Sequence, residues 1–253
     1  MSEDTILFSR DGPVARVTLN APERHNALGV AQIRWLRDCL QTIAQDDALR
    51  VLLLTGAGER TFCAGASLDQ FRGGTMSGEL FSTLTDQLAA LPIPSVCALN
   101  GDVFGGGAEI ALCCDYRIGI QGSRMLVPAA RIGICYPVNG IRRFVERLGH
   151  AAATRLLIAS EELDADTMAG IGFLHQVVER ERLDAHAEAM ARHLAALAPL
   201  AVRAMKRIVA GVIDGSIDGA AAETLVMRCS QSRDLQEGLA AQREKRPPQF
   251  TGE

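Results

Sequence analysis

The chain is poor in the patterns that announce most cofactor chemistry. Its five histidines (His25, His150, His175, His186 and His193) show no metal-ligand spacing, and no HExxH occurs. That excludes a zincin-type centre, and no metal is expected. There is no P-loop, no GxGxxG and no GxSxG, which excludes a phosphate cradle, a dinucleotide fingerprint and a nucleophile elbow. Gly56-Ala57-Gly58 is too short to count as a dinucleotide site. No run approaches the roughly 20 apolar residues of a membrane span. A net charge of −4 gives no general attraction for nucleic acid or an anionic bilayer. The seven cysteines are odd in number, lack a CxxC pair and sit mostly in apolar runs, which reads as reduced core thiols in a cytoplasmic protein. The opening Met-Ser-Glu-Asp-Thr has neither a basic n-region nor an export-length apolar segment after it, so a cytoplasmic location is expected.

What is present is a chain of 253 residues, nearly half of them apolar, enough for one large domain with a small extension. Ile6–Ser9 and Val14–Leu19 flank Asp11-Gly12-Pro13 as a hairpin. Ile33, Leu36, Leu40 and Ile43 recur at helical spacing between Val30 and Gln45. Val51–Thr55 and Ser95–Leu99 are compact apolar runs that predict buried strands. A helix over Leu80–Leu91 separates them, ended by Pro92 and Pro94. Tyr116–Ile120, Met125–Val127 and His175–Val178 are further strand candidates. Helices are predicted over Val138–Leu148, Ala151–Ala159, Asp164–Ala169, Arg180–Ala195, Pro199–Val212, Ile217–Cys229 and Arg233–Arg246. This alternation predicts an α/β core over residues 1–195 and a helical C-terminal extension over 196–253.

Two glycine-containing turns follow the two buried strands in the same way. Phe62-Cys63-Ala64-Gly65-Ala66-Ser67-Leu68 follows the first, and Asn100-Gly101 through Gly105-Gly106-Gly107-Ala108-Glu109 follows the second. Glycines leave backbone N–H groups open to close approach by a ligand oxygen, and a helix start adds orphan donors with partial positive charge. If the strands are neighbours, one N–H from each turn can converge on one oxygen, with Glu109 beside it as a base. That combination is what proton removal next to a carbonyl requires.

Leu19-Asn20-Ala21-Pro22 with Asn26-Ala27-Leu28, the Phe62–Ala66 segment and the Asn100–Glu109 segment resemble, in order, three signatures of the enoyl-CoA hydratase/isomerase (crotonase) family. Asp115, Ala198-Pro199-Leu200-Ala201 and Gln236-Glu237-Gly238 through Phe250 extend the likeness along almost the whole chain. The resemblance implies a crotonase-like spiral of ββα units and a C-terminal helical region that trimerises, giving a homotrimer or dimer of trimers. It also implies an acyl-CoA substrate whose coenzyme A is part of the substrate, with no separate cofactor. By position, the N–H groups of Ala66 and Gly106 look like an oxyanion hole, with Gly105 preceding the second donor. Glu109 matches a catalytic carboxylate, Arg24 a contact to the coenzyme A phosphates, and the backbone of Ala64, Ala66, Ser67 and Leu68 a strip for adenine and pantetheine.

The chain departs from hydratases at several positions, among them Ser67, where the family usually has an aspartate, the Arg131–Pro137 stretch, and one catalytic slot. Hydratases place a second glutamate after a proline twenty residues beyond the first, whereas here Pro128 is followed by Ala129. Tyr136 stands near where decarboxylating members, similar to methylmalonyl-CoA decarboxylase, carry a tyrosine, and a phenol can donate a hydrogen bond to the substrate. Hydration, double-bond isomerisation and decarboxylation therefore stay open. So does a reading from another class, a non-catalytic acyl-CoA-binding scaffold.

Overall fold

The computed structural model describes residues 5–253; the leader reading of the first four residues lies outside them. Ten strands form two sheets. β1 (Ile6–Asp11), β2 (Val14–Leu19), β3 (Val51–Gly56), β5 (Ser95–Leu99), β7 (Tyr116–Ile120) and β10 (Gln176–Val178) lie side by side in that order in a six-stranded sheet. β4 (Thr61–Cys63), β6 (Asp102–Phe104), β8 (Arg124–Leu126) and β9 (Leu163–Asp164) form a smaller one. Each of β3, β5 and β7 is followed directly by its partner β4, β6 or β8 in the small sheet and then by helix. This is the strand–strand–helix repeat that the resemblance implied.

The first hairpin closes at Asp11 opposite Val14, around the predicted Gly12-Pro13 turn. β2, β3, β5 and β7 then run parallel, with β3 hydrogen-bonded to β5. Their unbroken apolar runs follow from burial of both sheet faces. Leu52, Leu54, Cys97 and Leu99 join the main core, whereas Leu53, Val96, Ala98 and Ile118 pack on the other face. That second face is covered by α7 (Leu183–Ala195), whose Leu183, Ala187, Ala191 and Ala195 recur every fourth residue. The three small alanines let the helix approach the sheet closely. On the main-core side α1 (Val30–Gln45) buries Ile33, Leu36, Leu40 and Ile43, each contributing about 1.5–3 kcal/mol.

α2 (Leu68–Arg72), α3 (Gly78–Ala89) and α4 (Gly106–Cys113) follow β4 and β6. α5 (Val138–Leu157) is bent at Gly149 (φ 79°), so the two helices expected over 138–159 meet in one kinked element. α6 (Ala165–Gly170) and α7 precede the tail, where α8 (Pro199–Asp214), α9 (Gly219–Ser230) and α10 (Arg233–Glu244) follow. Lys206 of α8 pairs with Asp115 at 2.5 Å, and Asp115 also accepts from the Ser95 N–H and hydroxyl at the start of β5. No described helix is long and apolar enough to cross a membrane.

Candidate active site

Because β3 and β5 are adjacent and parallel, the segments after them leave the large sheet at the same end. Asn100 fastens them together. Its Oδ1 accepts from the Gly56 N–H at 3.2 Å and its Nδ2 donates to the Gly58 carbonyl at 2.7 Å. The two glycine turns then meet backbone to backbone. A Cβ on Gly65 would stand 2.5 Å from the Gly106 nitrogen, and one on Gly107 would stand 2.1 Å from the Cys63 carbonyl oxygen. No side chain fits at either position.

The Leu28 segment orients the first donor. Leu28 donates to the Gly65 carbonyl and accepts from the Ser67 N–H, both at 2.8 Å. These bonds bracket Ala66 in a parallel bridge, so the N–H of Ala66 itself faces away from Leu28. The second donor lies at the first residue of α4. Gly105 (φ 50°) turns the chain into the helix, and Gly106 carries one of the N–H groups that a helix start leaves without an intrahelical acceptor. The Phe81 ring takes the place of a Gly106 side chain, with its Cζ 2.5 Å from where a Cβ would be.

Asn26 holds the loop beneath this arrangement. It is buried in the left-handed region (φ 55°), its Nδ2 lies within 3.0 Å of the carbonyls of Ala57, Thr61 and Phe62, and its Oδ1 accepts from Ala21. Asn26→Ala is expected to cost about 3 kcal/mol, combining orphaned buried carbonyls with an unfavourable φ, read as a lowered Tm in thermal melts.

A cavity of about 460 Å³ opens beside the turns. Of the residues expected at the site, Ala64, Ala66, Leu68, Gly105, Gly106, Glu109, Ala129 and Tyr136 all line it. Ser67 and Arg24 do not. Ser67 precedes α2, and Arg24 is exposed, with its Nε 3.2 Å from Glu23. Arg246 of the tail is bidentate to Glu237 within the same chain. Phe71, Phe81, Phe104, Pro128, Ile132 and Ile134 make most of the wall apolar.

Among the described residues, Glu109 is the one carboxylate that lines the cavity. It is only 2 % exposed, and burial pushes its pKa above the usual carboxylate range, while Arg143 opposes the shift. The Arg143 Nη1 lies 2.6 Å from Glu109 Oε1. Reading the sequence did not single out this arginine. It lies 34 residues away on α5 in a stretch that also carries Arg142, Glu146 and Arg147, and nothing local tells which of these charges turns inward. The Tyr136 hydroxyl is raised well above the usual phenol range, by burial first and then by Glu109, so it stays protonated and able to donate. Its ring meets Phe144 edge-on at 6.0 Å.

An apolar cavity lined by one buried carboxylate and by residues of both glycine turns has the make-up of a small-molecule binding site. Comparison with known proteins specifies the family. The family model for enoyl-CoA hydratase/isomerase matches residues 9–253, and the chain belongs to that family. It is 30% identical over 253 residues to a short-chain-enoyl-CoA hydratase of Clostridium acetobutylicum, covering 97% of each chain. It is 32% identical to a 1,2-epoxyphenylacetyl-CoA isomerase of Escherichia coli over 98% of each. The solved structure of an enoyl-CoA hydratase/carnithine racemase from Magnetospirillum magneticum superposes with a TM-score of 0.93 at 34% identity, over 100% of this chain and 97% of that one. The fold is the crotonase fold.

Proposed function

We propose that this enzyme acts on an acyl-CoA thioester, removing a proton beside the thioester carbonyl and returning it elsewhere on the acyl chain. The single observation that carries this reading is Glu109, buried in an apolar cavity beside the two glycine turns. In the proposed reaction the Ala66 and Gly106 N–H groups receive the thioester oxygen as negative charge develops on it. Each such donor is worth roughly 3–4 kcal/mol in the transition state. Glu109 takes the α-proton of a 3-enoyl thioester, the electron pair runs into the dienolate, and the same carboxyl delivers the proton to the γ carbon. The product is the 2-enoyl thioester, and no co-reactant is consumed. Tyr136 supplies a neutral hydrogen-bond donor at the acyl end. Arg24 and the Ala64–Leu68 backbone receive the coenzyme A portion, and the residues present require no metal or redox group for these steps.

Isomerisation is favoured over hydration because Ala129 lines the cavity with a methyl group where hydratases carry their second carboxylate. Decarboxylation is disfavoured because, among the described residues, no arginine or lysine lines the cavity to hold an acyl carboxylate. Exposed Met205, Val209, Val212, Val226, Met227 and Leu239 on the C-terminal helices support assembly as a homotrimer or a dimer of trimers.

Incubation with 2-enoyl- and 3-enoyl-CoA in heavy-oxygen water tests the reaction by mass spectrometry. Interconversion without label is the expected result, and rapid label uptake by the wild type would replace isomerisation with hydration. Ala129→Glu, which supplies the missing carboxylate, is expected to raise label uptake by at least tenfold, in line with the 10²–10⁴ typical of one acid–base group.

A further inference from the structure

Glu109 sits at one end of a three-charge array. The Arg143 guanidinium, with its side chain only 11% exposed, places Nη1 2.6 Å from Glu109 Oε1 and Nη2 2.8 Å from Asp86 Oδ1. Asp86 belongs to α3, and its other oxygen accepts from the Asn139 amide at 3.1 Å. Asn139, Gly140 and Arg143 form one turn of α5. Gly140 gives that turn room to lie against the carboxylate, since a Cβ there would stand 3.2 Å from Glu109 Oε2 and 3.1 Å from the Tyr136 ring. One helical turn thus orients Glu109 from behind while its other side faces the cavity.

A lone arginine paired with a buried carboxylate would stabilise the anion strongly and leave a weak base. Here the guanidinium is shared by two carboxylates, so the array carries a net charge of −1 rather than zero. Asp86 draws part of the arginine's field away from Glu109 and adds like-charge repulsion of its own. We propose that Arg143 and Asp86 form a positioning pair for Glu109, in which Arg143 orients the carboxylate and holds it ionised while Asp86 limits that hold so that Glu109 remains a competent base. This inference rests on the proposed role of Glu109. It is consistent with the directions in which the two side chains act, Arg143 lowering the Glu109 pKa and Asp86 raising it. The other groups facing Glu109 are Thr85 on α3, whose hydroxyl donates to the Ser82 carbonyl, Cys113 one turn further along α4, and Tyr136. His25 lines the same cavity. Among the described groups that face Glu109, only Arg143 and Asp86 carry full charges.

The two halves of the pair make predictions of opposite sign. Carboxyl-carbon NMR titration of the free enzyme, labelled with [δ-13C]glutamate, reads Glu109 directly, its resonance being the one lost in Glu109→Gln. Asp86→Asn is expected to move the midpoint down by about one pH unit and Arg143→Gln to move it up by one or more, with Arg143→Lys between Arg143→Gln and the wild type. Because the Asp86 side chain is 43% exposed, its substitution spares the fold. Midpoints that stay put, or that move in the same direction in Asp86→Asn and Arg143→Gln, would overturn the pair. With trans-3-hexenoyl-CoA as the probe, Arg143→Gln should lose at least tenfold in kcat with KM within threefold, its acid limb shifted to higher pH. Arg143→Lys should recover part of the loss. If Glu109→Gln keeps full turnover, the reading of Glu109 as the base fails, whatever the titrations show. If Glu109→Gln is inactive while the midpoints do not move, the positioning pair alone fails.

Discussion

Glu109→Gln is expected to lower kcat on an enoyl-CoA by about a thousandfold while leaving the Kd for butyryl-CoA within a fewfold of wild type. The substitution keeps the shape of the site. Glutamine matches glutamate in shape, Asp86 still holds Arg143 at 2.8 Å, and the residue is already buried, so packing changes little. What it removes is the proton acceptor. Among the described residues no second carboxylate lines the cavity, and Tyr136, held protonated by burial and by the nearby charge, cannot take over as a base near neutral pH. One acid–base group is worth about 10²–10⁴, and an enzyme with a single such group should lose toward the upper end. Binding should survive because the proposed coenzyme A strip and amide donors are untouched. Steady-state rates and calorimetric titration with butyryl-CoA separate the two effects. Unchanged turnover would remove Glu109 from the mechanism, and lost binding with unchanged kcat would make it a binding residue instead.

Much of the large sheet was legible because its strands carry a pattern of their own. Val51–Thr55 and Ser95–Leu99 are five-residue apolar runs, buried on both faces, and each lies within one residue of its observed strand. Of the small sheet only β8 was legible, as the Met125–Val127 run, one residue from its observed Arg124–Leu126. β4 and β6 have three residues each and β9 has two, too few for a period of two to appear, and their glycine-rich surroundings read as turns. They become strands only because each lies beside the next in space. The site divides in the same way. Ala66, Gly106 and Glu109 follow a local spacing, and the parallel pairing of β3 with β5 brings them to one cavity. Arg143 and Asp86 arrive from helices remote in the chain, where a charge facing inward looks like any solvated one. Phe81 escaped notice for a related reason: it reads as an ordinary core position of its helix, and its contact with Gly106 is purely tertiary.

Gly65→Ala is expected to abolish most activity, with a loss in kcat/KM of at least a hundredfold, and to cost about 3 kcal/mol in stability. Two separate costs combine. The residue sits at φ 80°, where an L side chain is strained by about 1–2 kcal/mol. The added methyl would also lie 2.5 Å from the Gly106 nitrogen, 2.7 Å from its Cα and 2.9 Å from the Gly107 nitrogen. All three are backbone atoms that cannot rotate aside, so the two turns must separate, at the 1–3 kcal/mol typical of overpacking. The separation moves the Ala66 and Gly106 N–H groups apart, and losing one such donor costs about 10²–10³ in rate. Gly122→Ala isolates the first cost. Gly122 is exposed at φ 75° with nothing within 4 Å of its missing Cβ, so it should lose about 1–2 kcal/mol and no activity. Thermal melts and kcat/KM on the same enoyl-CoA compare the two variants. If Gly65→Ala matches Gly122→Ala in both measurements, the turns do not act as a paired donor site. If it loses activity far beyond what its stability explains, the close approach of the two glycine turns serves the chemistry as well as the packing.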